Sequence, residues 1–164
     1  MKIASTARSI RMTLQSSEAP FIADVLVQLQ KEYEVPPQEL ESKISEVWYS
    51  KKGHQGTGSS KEEIAEWNHS LFEFRGENAR KIQDWIQLLR RESYPVVWDV
   101  PLQEVDSLLM ILNDYRLSLA ARYEVAESEM EHDLTQIEDA RKRLALLQIH
   151  LLGIMMDEIL QCLK

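Results

Sequence analysis

Two Glu-x-x-His pairs, Glu66…His69 and Glu129…His132, each set a carboxylate and an imidazole three residues apart. On a helix that spacing shares a face, so each pair could hold one metal ion. Two such pairs with further inward glutamates make the di-iron and di-manganese sites of helical bundles. The flanking residues argue for solvent instead. Glu129 and His132 lie in the polar run ESEMEHD, and Glu66 shares its face with Glu62 and Ser70 while Trp67 takes the core side. Like charges four apart repel and belong where water screens them. A metal-dependent enzyme is therefore the least favoured reading, and no metal or other cofactor is expected.

Gly53-His54-Gln55-Gly56-Thr57-Gly58 has the glycine spacing that opens a phosphate-cradling P-loop. That motif next needs Lys and then Ser or Thr to reach the phosphates and Mg²⁺. Ser59 and Ser60 stand there, lysine comes late as Lys61, and no strand leads in. A linker fits better. His150, between Ile149 and Leu151, suits a hydrogen-bonded core residue or a subunit boundary better than a proton carrier. Cys162 reads as a small hydrophobe rather than a nucleophile. Nothing in the sequence brings a Ser-His-Asp or Cys-His set together, so no catalytic residue is assigned. Trp98, in an extended segment, is the tryptophan best suited to lining a groove.

Arg116 is the most informative residue. Val105, Leu108, Leu109, Leu112, Leu119 and Tyr123 recur at helical spacing, and Arg116 falls on the same stripe. A guanidinium stays charged, so burying it requires a carboxylate or carbonyls. Two readings follow. Arg116 could grip an anion with Asn113 and Arg122 beside Trp98. The favoured alternative is an internal ion pair with Asp157 or Glu158, carboxylates of an otherwise apolar last helix.

The elements carrying these residues are legible. Ile10, Met12 and Leu14 alternate with Arg11 and Thr13, which is strand spacing, and Lys2–Thr6 can pair with them. Residues 1–15 thus form a short β element. Residues 16–48 read as two helices, the first capped by Ser16 or Ser17 and stopped before Pro36-Pro37. The second spans Pro37–Trp48 with Leu40, Ile44 and Val47 inward. A glycine-rich loop covers 49–60. Ser60 and Glu63 form a capping box for a long helix over 61–91, with Ile64, Trp67, Leu71 and Phe74 inward and Gly76 a point of interruption. Residues 94–100 are extended, 101–124 helical, 126–136 a short separate turn of helix, and 137–163 an apolar C-terminal helix. The expected fold is mainly α: a single-domain bundle of five to six helices with a small N-terminal β element.

With 164 residues, 44% hydrophobic and 28% charged, the chain can bury one core. A formal charge of −8 disfavours general binding to nucleic acid or to an anionic membrane. One cysteine precludes an intrachain disulfide, and MKIASTARSIRMTLQ lacks the continuous apolar core of a signal peptide. The most apolar run, LALLQIHLLGIMM, is 13 residues, against about 20 needed to span a bilayer. A cytoplasmic protein is expected. The last helix is apolar nearly all round, so it is either central to the fold or covered by another subunit.

Leu112-Asn113-Asp114-Tyr115-Arg116-Leu117-Ser118-Leu119, followed by Ala121-Arg122-Tyr123 and Val125, resembles the LNDLRL-x-L-x-x-R helix of an uncharacterised bacterial family, a domain of unknown function. Glu18-Ala19, Glu63–Trp67 and Leu146-Leu147-Gln148 are similar to it as well. Members of that family are often encoded beside the Clp protease adaptor, so the resemblance implies a regulatory role and no established activity. The reading that follows is a non-enzymatic protein-interaction module that forms a homo-oligomer through the 144–160 helix and offers a surface to a protein partner. A small-molecule or anion binder using Arg116 and Asn113 is the alternative.

Overall fold

The computed structural model describes residues 1–49, 58–91, 93–131 and 134–164. Most of the glycine-rich loop, including the P-loop-like glycines Gly53 and Gly56, lies outside them, as does His132. Among the described residues, five α-helices and one small antiparallel sheet make up a mainly α fold.

The N-terminal alternation forms a hairpin, β1 (Lys2–Ser5) and β2 (Ser9–Leu14). Ile10, Met12 and Leu14 point inward and are fully buried. The extended segment becomes β3 (Val96–Pro101), which pairs antiparallel with β2 and puts Met12 opposite Trp98. Arg11 and Asp99 pair at 2.8 Å on the solvent face. The sheet is therefore closed by a strand from the middle of the chain, in the order β1-β2-β3.

Helix α1 (Glu18–Tyr33) follows. Ser17 occupies its cap position without a side-chain cap bond. The Gln15 carbonyl accepts the Glu18 and Ala19 N–H groups at 3.1 Å, while the Glu18 carboxylate reaches back to the Gln15 N–H at 2.8 Å and pairs with the N-terminal ammonium. Helix α2 is only Ser42–Trp48, shorter than the expected 37–48. The Pro36 carbonyl accepts the N–H groups of Glu39 and Leu40, and that turn occupies the missing residues. Trp48 is buried and Val47 exposed, the reverse of the expectation for Val47.

Helix α3 (Lys61–Leu89) starts on the Ser60–Glu63 capping box and runs through Gly76 without a break. Two inward assignments are corrected here: Trp67 is 54% exposed and Phe74 42%. The buried line of α3 runs through Arg75, Asn78, Ala79, Ile82, Ile86 and Leu89. Traced back at helical spacing it passes through half-buried Leu71 and Ile64, leaving Trp67 and Phe74 to one side. After a 3₁₀ turn at Leu102–Glu104 comes α4 (Val105–Arg122). Two more 3₁₀ turns, Glu127–Glu131 and Leu134–Gln136, occupy the acidic connection. Helix α5 (Ala140–Cys162) is capped by Asp139, whose carboxylate accepts the N–H groups of Arg141 and Lys142. Helix α1 packs on α3, α4 on α5 and α2 on α4, and α5 also meets β1.

At Gly76 an added Cβ would meet nothing within 4 Å. Glycine inside a helix costs about 1 kcal/mol relative to alanine through backbone entropy. Gly76→Ala should therefore stabilise the chain by up to about 1 kcal/mol in chemical denaturation.

Candidate functional site

The buried charge of α4 is Asp114, not Arg116, and its partner comes from α3. Arg75 reaches Asp114 with both arms of its fork, Nε to Oδ2 at 3.0 Å and Nη2 to Oδ1 at 3.3 Å. Their side chains are only 7% and 6% exposed. Tyr33, at the end of α1, donates its hydroxyl to Asp114 Oδ2 at 2.8 Å. Trp48, at the end of α2, donates its indole N–H to the Asp114 carbonyl at 3.2 Å. The Arg75 guanidinium lies 4.9 Å from the Tyr49 ring centroid, 5.0 Å from Trp48 and 6.0 Å from Tyr33. Planar guanidinium over aromatic faces is favourable electrostatically, more so when water is excluded.

The electrostatics follow from this enclosure. Burial pushes the Tyr33 phenol well above its ordinary value, and the adjacent Asp114 charge pushes the same way. Burial also raises Tyr49, against the pull of Arg75. For Arg75 burial opposes the charge, but Asp114 outweighs it and the pKa rises. The Asp114 carboxylate accepts three hydrogen bonds, two on Oδ2 and one on Oδ1, and its side chain is almost closed to solvent. Arg75 Nη1 and the Asn78 amide, one turn on, have no hydrogen-bond partner among the described residues.

A second ionic centre sits two turns further along α4. Arg122 donates to Glu32 at 2.7 Å and to Glu41 at 3.0 Å, and Gln28 donates to the same Glu32 at 2.8 Å. Burial opposes the Arg122 charge, but the two carboxylates raise its pKa. Arg122 lines an open groove of about 520 Å³ with Gln28, Tyr115, Arg141 and Gln148.

The residues singled out in the sequence do not converge. Arg116 is half-buried and lies across Gly153 of α5, whose Cβ position is 3.4 Å from its Nη2. Its Nη1 points to the Met156 sulfur at 3.7 Å and its Nε is unpartnered. The expected ion pair is not made: Asp157 and Glu158 are exposed, and among the described residues neither bridges to Arg116. Trp98 is 1% exposed and packs against Trp85, ring centroids 5.3 Å apart. Asn113 is half-buried, and Arg122 is already neutralised. Glu66 is exposed, and His69 sits 3.4 Å from Glu73 rather than joining Glu66. Glu129 pairs with Lys142. Among the described residues no three His, Cys, Asp or Glu side chains come together as a metal site. His150 is half-buried on α5.

Arg75 and Asp114 escaped the sequence reading although a signal existed. Arg75 precedes Ala79 by four residues and Ile82 by seven, and so stands on the apolar line of its helix. The outward face of α5 is the other unusual surface. Leu144, Leu147, Leu151 and Ile154 are 56%, 41%, 45% and 55% exposed. Exposed Arg141 and Arg143 precede them, and exposed Asp157 and Glu158 follow.

Fold and sites together define a mainly α chain held by a closed internal ion pair and carrying an uncovered apolar helix face. Residues 59–163 match the model of a family described as a domain of unknown function, DUF2017, and the chain belongs to that family. No curated protein and no solved structure matches the chain.

Removing one partner of a buried pair strands the other's charge. Arg75→Met should cost about 3–5 kcal/mol in denaturant unfolding, whereas Arg116→Met, with no carboxylate to orphan, should cost less than about 1 kcal/mol. Tyr33→Phe should cost about 1.5–3 kcal/mol at neutral pH through the lost bond to a charged acceptor. The folded chain holds the Tyr33 proton above the ordinary value near 10, so the unfolded chain loses it first. The phenol's contribution is complete below that pH and drains away as pH rises through it. Stability against urea should fall more gently with alkaline pH in Tyr33→Phe than in the parent.

Proposed function

We propose that this protein is a non-enzymatic association module whose working surface is the outward face of α5. One observation carries the reading: Leu144, Leu147, Leu151 and Ile154, at spacings of three and four, stand exposed in a row about 15 Å long. That is the a/d pattern of a helix built to pack on a helix. Continuous apolar surface of this kind costs solubility unless something covers it. The inner face of α5 is already buried through Ala145, Ile149, Leu152, Met155 and Ile159, so the stripe is surplus to the needs of the fold.

The alternative, an anion grip by Arg116 and Asn113, is less well supported. Arg116 faces a methionine sulfur and Gly153, and the groove nearby is lined by an arginine that two glutamates neutralise. The third reading, a metal enzyme, lacks convergent ligands among the described residues. By length and composition α5 alone among the described helices is long and apolar enough to cross a membrane. Its packing on α4 and β1 supports a folded-domain role instead.

A photo-crosslinking amino acid introduced at Leu151 in cells expressing the chain should give discrete protein adducts on irradiation, while the same group at exposed Leu102 should give none. Absence of any adduct at Leu151 would remove the reading.

A further inference from the structure

We infer that the occupant of this face is a second copy of the chain, docked with α5 antiparallel to α5 about a two-fold axis between Leu147 and Leu151. The inference rests on the association reading above and names its partner.

The order of residues along the face carries it. Arg141 and Arg143 are exposed at the N-terminal end, four apolar residues occupy the middle, and Asp157 and Glu158 are exposed at the C-terminal end. Among the described residues Asp157 and Glu158 take part in no ion pair, and Arg143 donates to the carbonyls of Ile137 and Glu138 but pairs with no carboxylate. A surface that is basic, apolar and acidic in that order is complementary to its own reverse. Laid antiparallel, Leu147 meets the partner's Leu151 and Leu144 meets the partner's Ile154, the a-to-d layering of an antiparallel pair. The same register brings Arg143 within about half a turn of the partner's Asp157 on the same flank of the stripe, and symmetry repeats the pair at the other end. A parallel pairing would set arginine against arginine and aspartate against aspartate, which is repulsive. Antiparallel helix dipoles favour the same choice.

The shape agrees. Beside the stripe an apolar groove of about 300 Å³ is lined by Phe21, Ile22, Leu151, Leu152 and Met155. Nearer the N-terminal end of α5, on the same flank, lies the groove with Arg141, Leu144 and Gln148. A second α5 seated on the row has two successive recesses along one flank for its side chains. Such a contact is isologous, using one patch on both copies, and so closes at the dimer without further growth.

The purified full chain should sediment as a dimer at micromolar concentrations, and Leu147→Glu should sediment as a folded monomer with unchanged helical circular dichroism. Arg143→Glu should weaken the dimer about tenfold, and adding Asp157→Arg should restore it. Orientation is read in a Cys162→Ser background. Chains carrying Leu144→Cys, mixed with chains carrying Ile154→Cys, should oxidise to mixed disulfide dimers, while each alone should cross-link poorly. A monomeric parent chain would overturn the inference, and so would same-residue cross-links from each single-cysteine chain. Flotation of a monomeric chain with phosphatidylcholine vesicles, lost in Leu147→Glu, would assign the face to lipid and overturn it too. In any of these outcomes, adducts to other proteins at Leu151 would leave the association reading standing.

Discussion

The Arg75–Asp114 pair is the constraint on which the arrangement of the helices depends. Two charges taken from water cost several kcal/mol each unless each finds the other in good geometry. Here the fork is bidentate, and Asp114 takes two further donors, Tyr33 on its carboxylate and Trp48 on its carbonyl. These partners come from four helices: α1, α2, α3 and α4. None of the four can slide without stranding a charge or a donor. Buried ion pairs are weak contributors to net stability and strong selectors of register, and this one selects the register of four elements at once.

From Asp114 a polar seam runs along α4 at four-residue steps through Ser118 to Arg122. Arg122 repeats the logic at lower burial, with Glu32 from α1 and Glu41 ahead of α2. One face of α4 is thus bound to α1 and α2 by specific contacts. Another packs on α5, where contacts are apolar apart from Arg116 over Gly153 and the Tyr115–Gln148 hydrogen bond. Ions specify where α4 sits, and apolar area supplies the adhesion.

This division leaves α5 with more apolar surface than the fold uses. Its inner positions fill the core beside α4 and β1, while its outer row meets solvent between a basic and an acidic end. A chain that needed α5 only as a lid would carry polar residues on that row, as amphipathic surface helices do. The internal polar centre is closed and structural, whereas the external surface is open and apolar.

Periodicity and end signals belong to the chain itself. The Ile10-Met12-Leu14 alternation, the Ser60–Glu63 capping box, the end of α1 ahead of Pro36 and the apolar run of α5 are local, acting within one turn or one pleat, so they were legible before any coordinates. The uncovered side of α5 was readable for the same reason: no polar residue interrupts it from Leu144 to Ile154 at that spacing. Pairing across the fold is a different matter. That Arg75 rather than Arg116 carries the buried positive charge, that Asp114 and not Asp157 or Glu158 answers it, and that Trp67 faces outward while Trp98 is sealed all depend on which helix lies against which. Partners such as Arg75 and Asp114 are 39 residues apart, and no local preference encodes their meeting. Only packing brings an arginine and a carboxylate into one dry space, and burial then makes their attraction decisive.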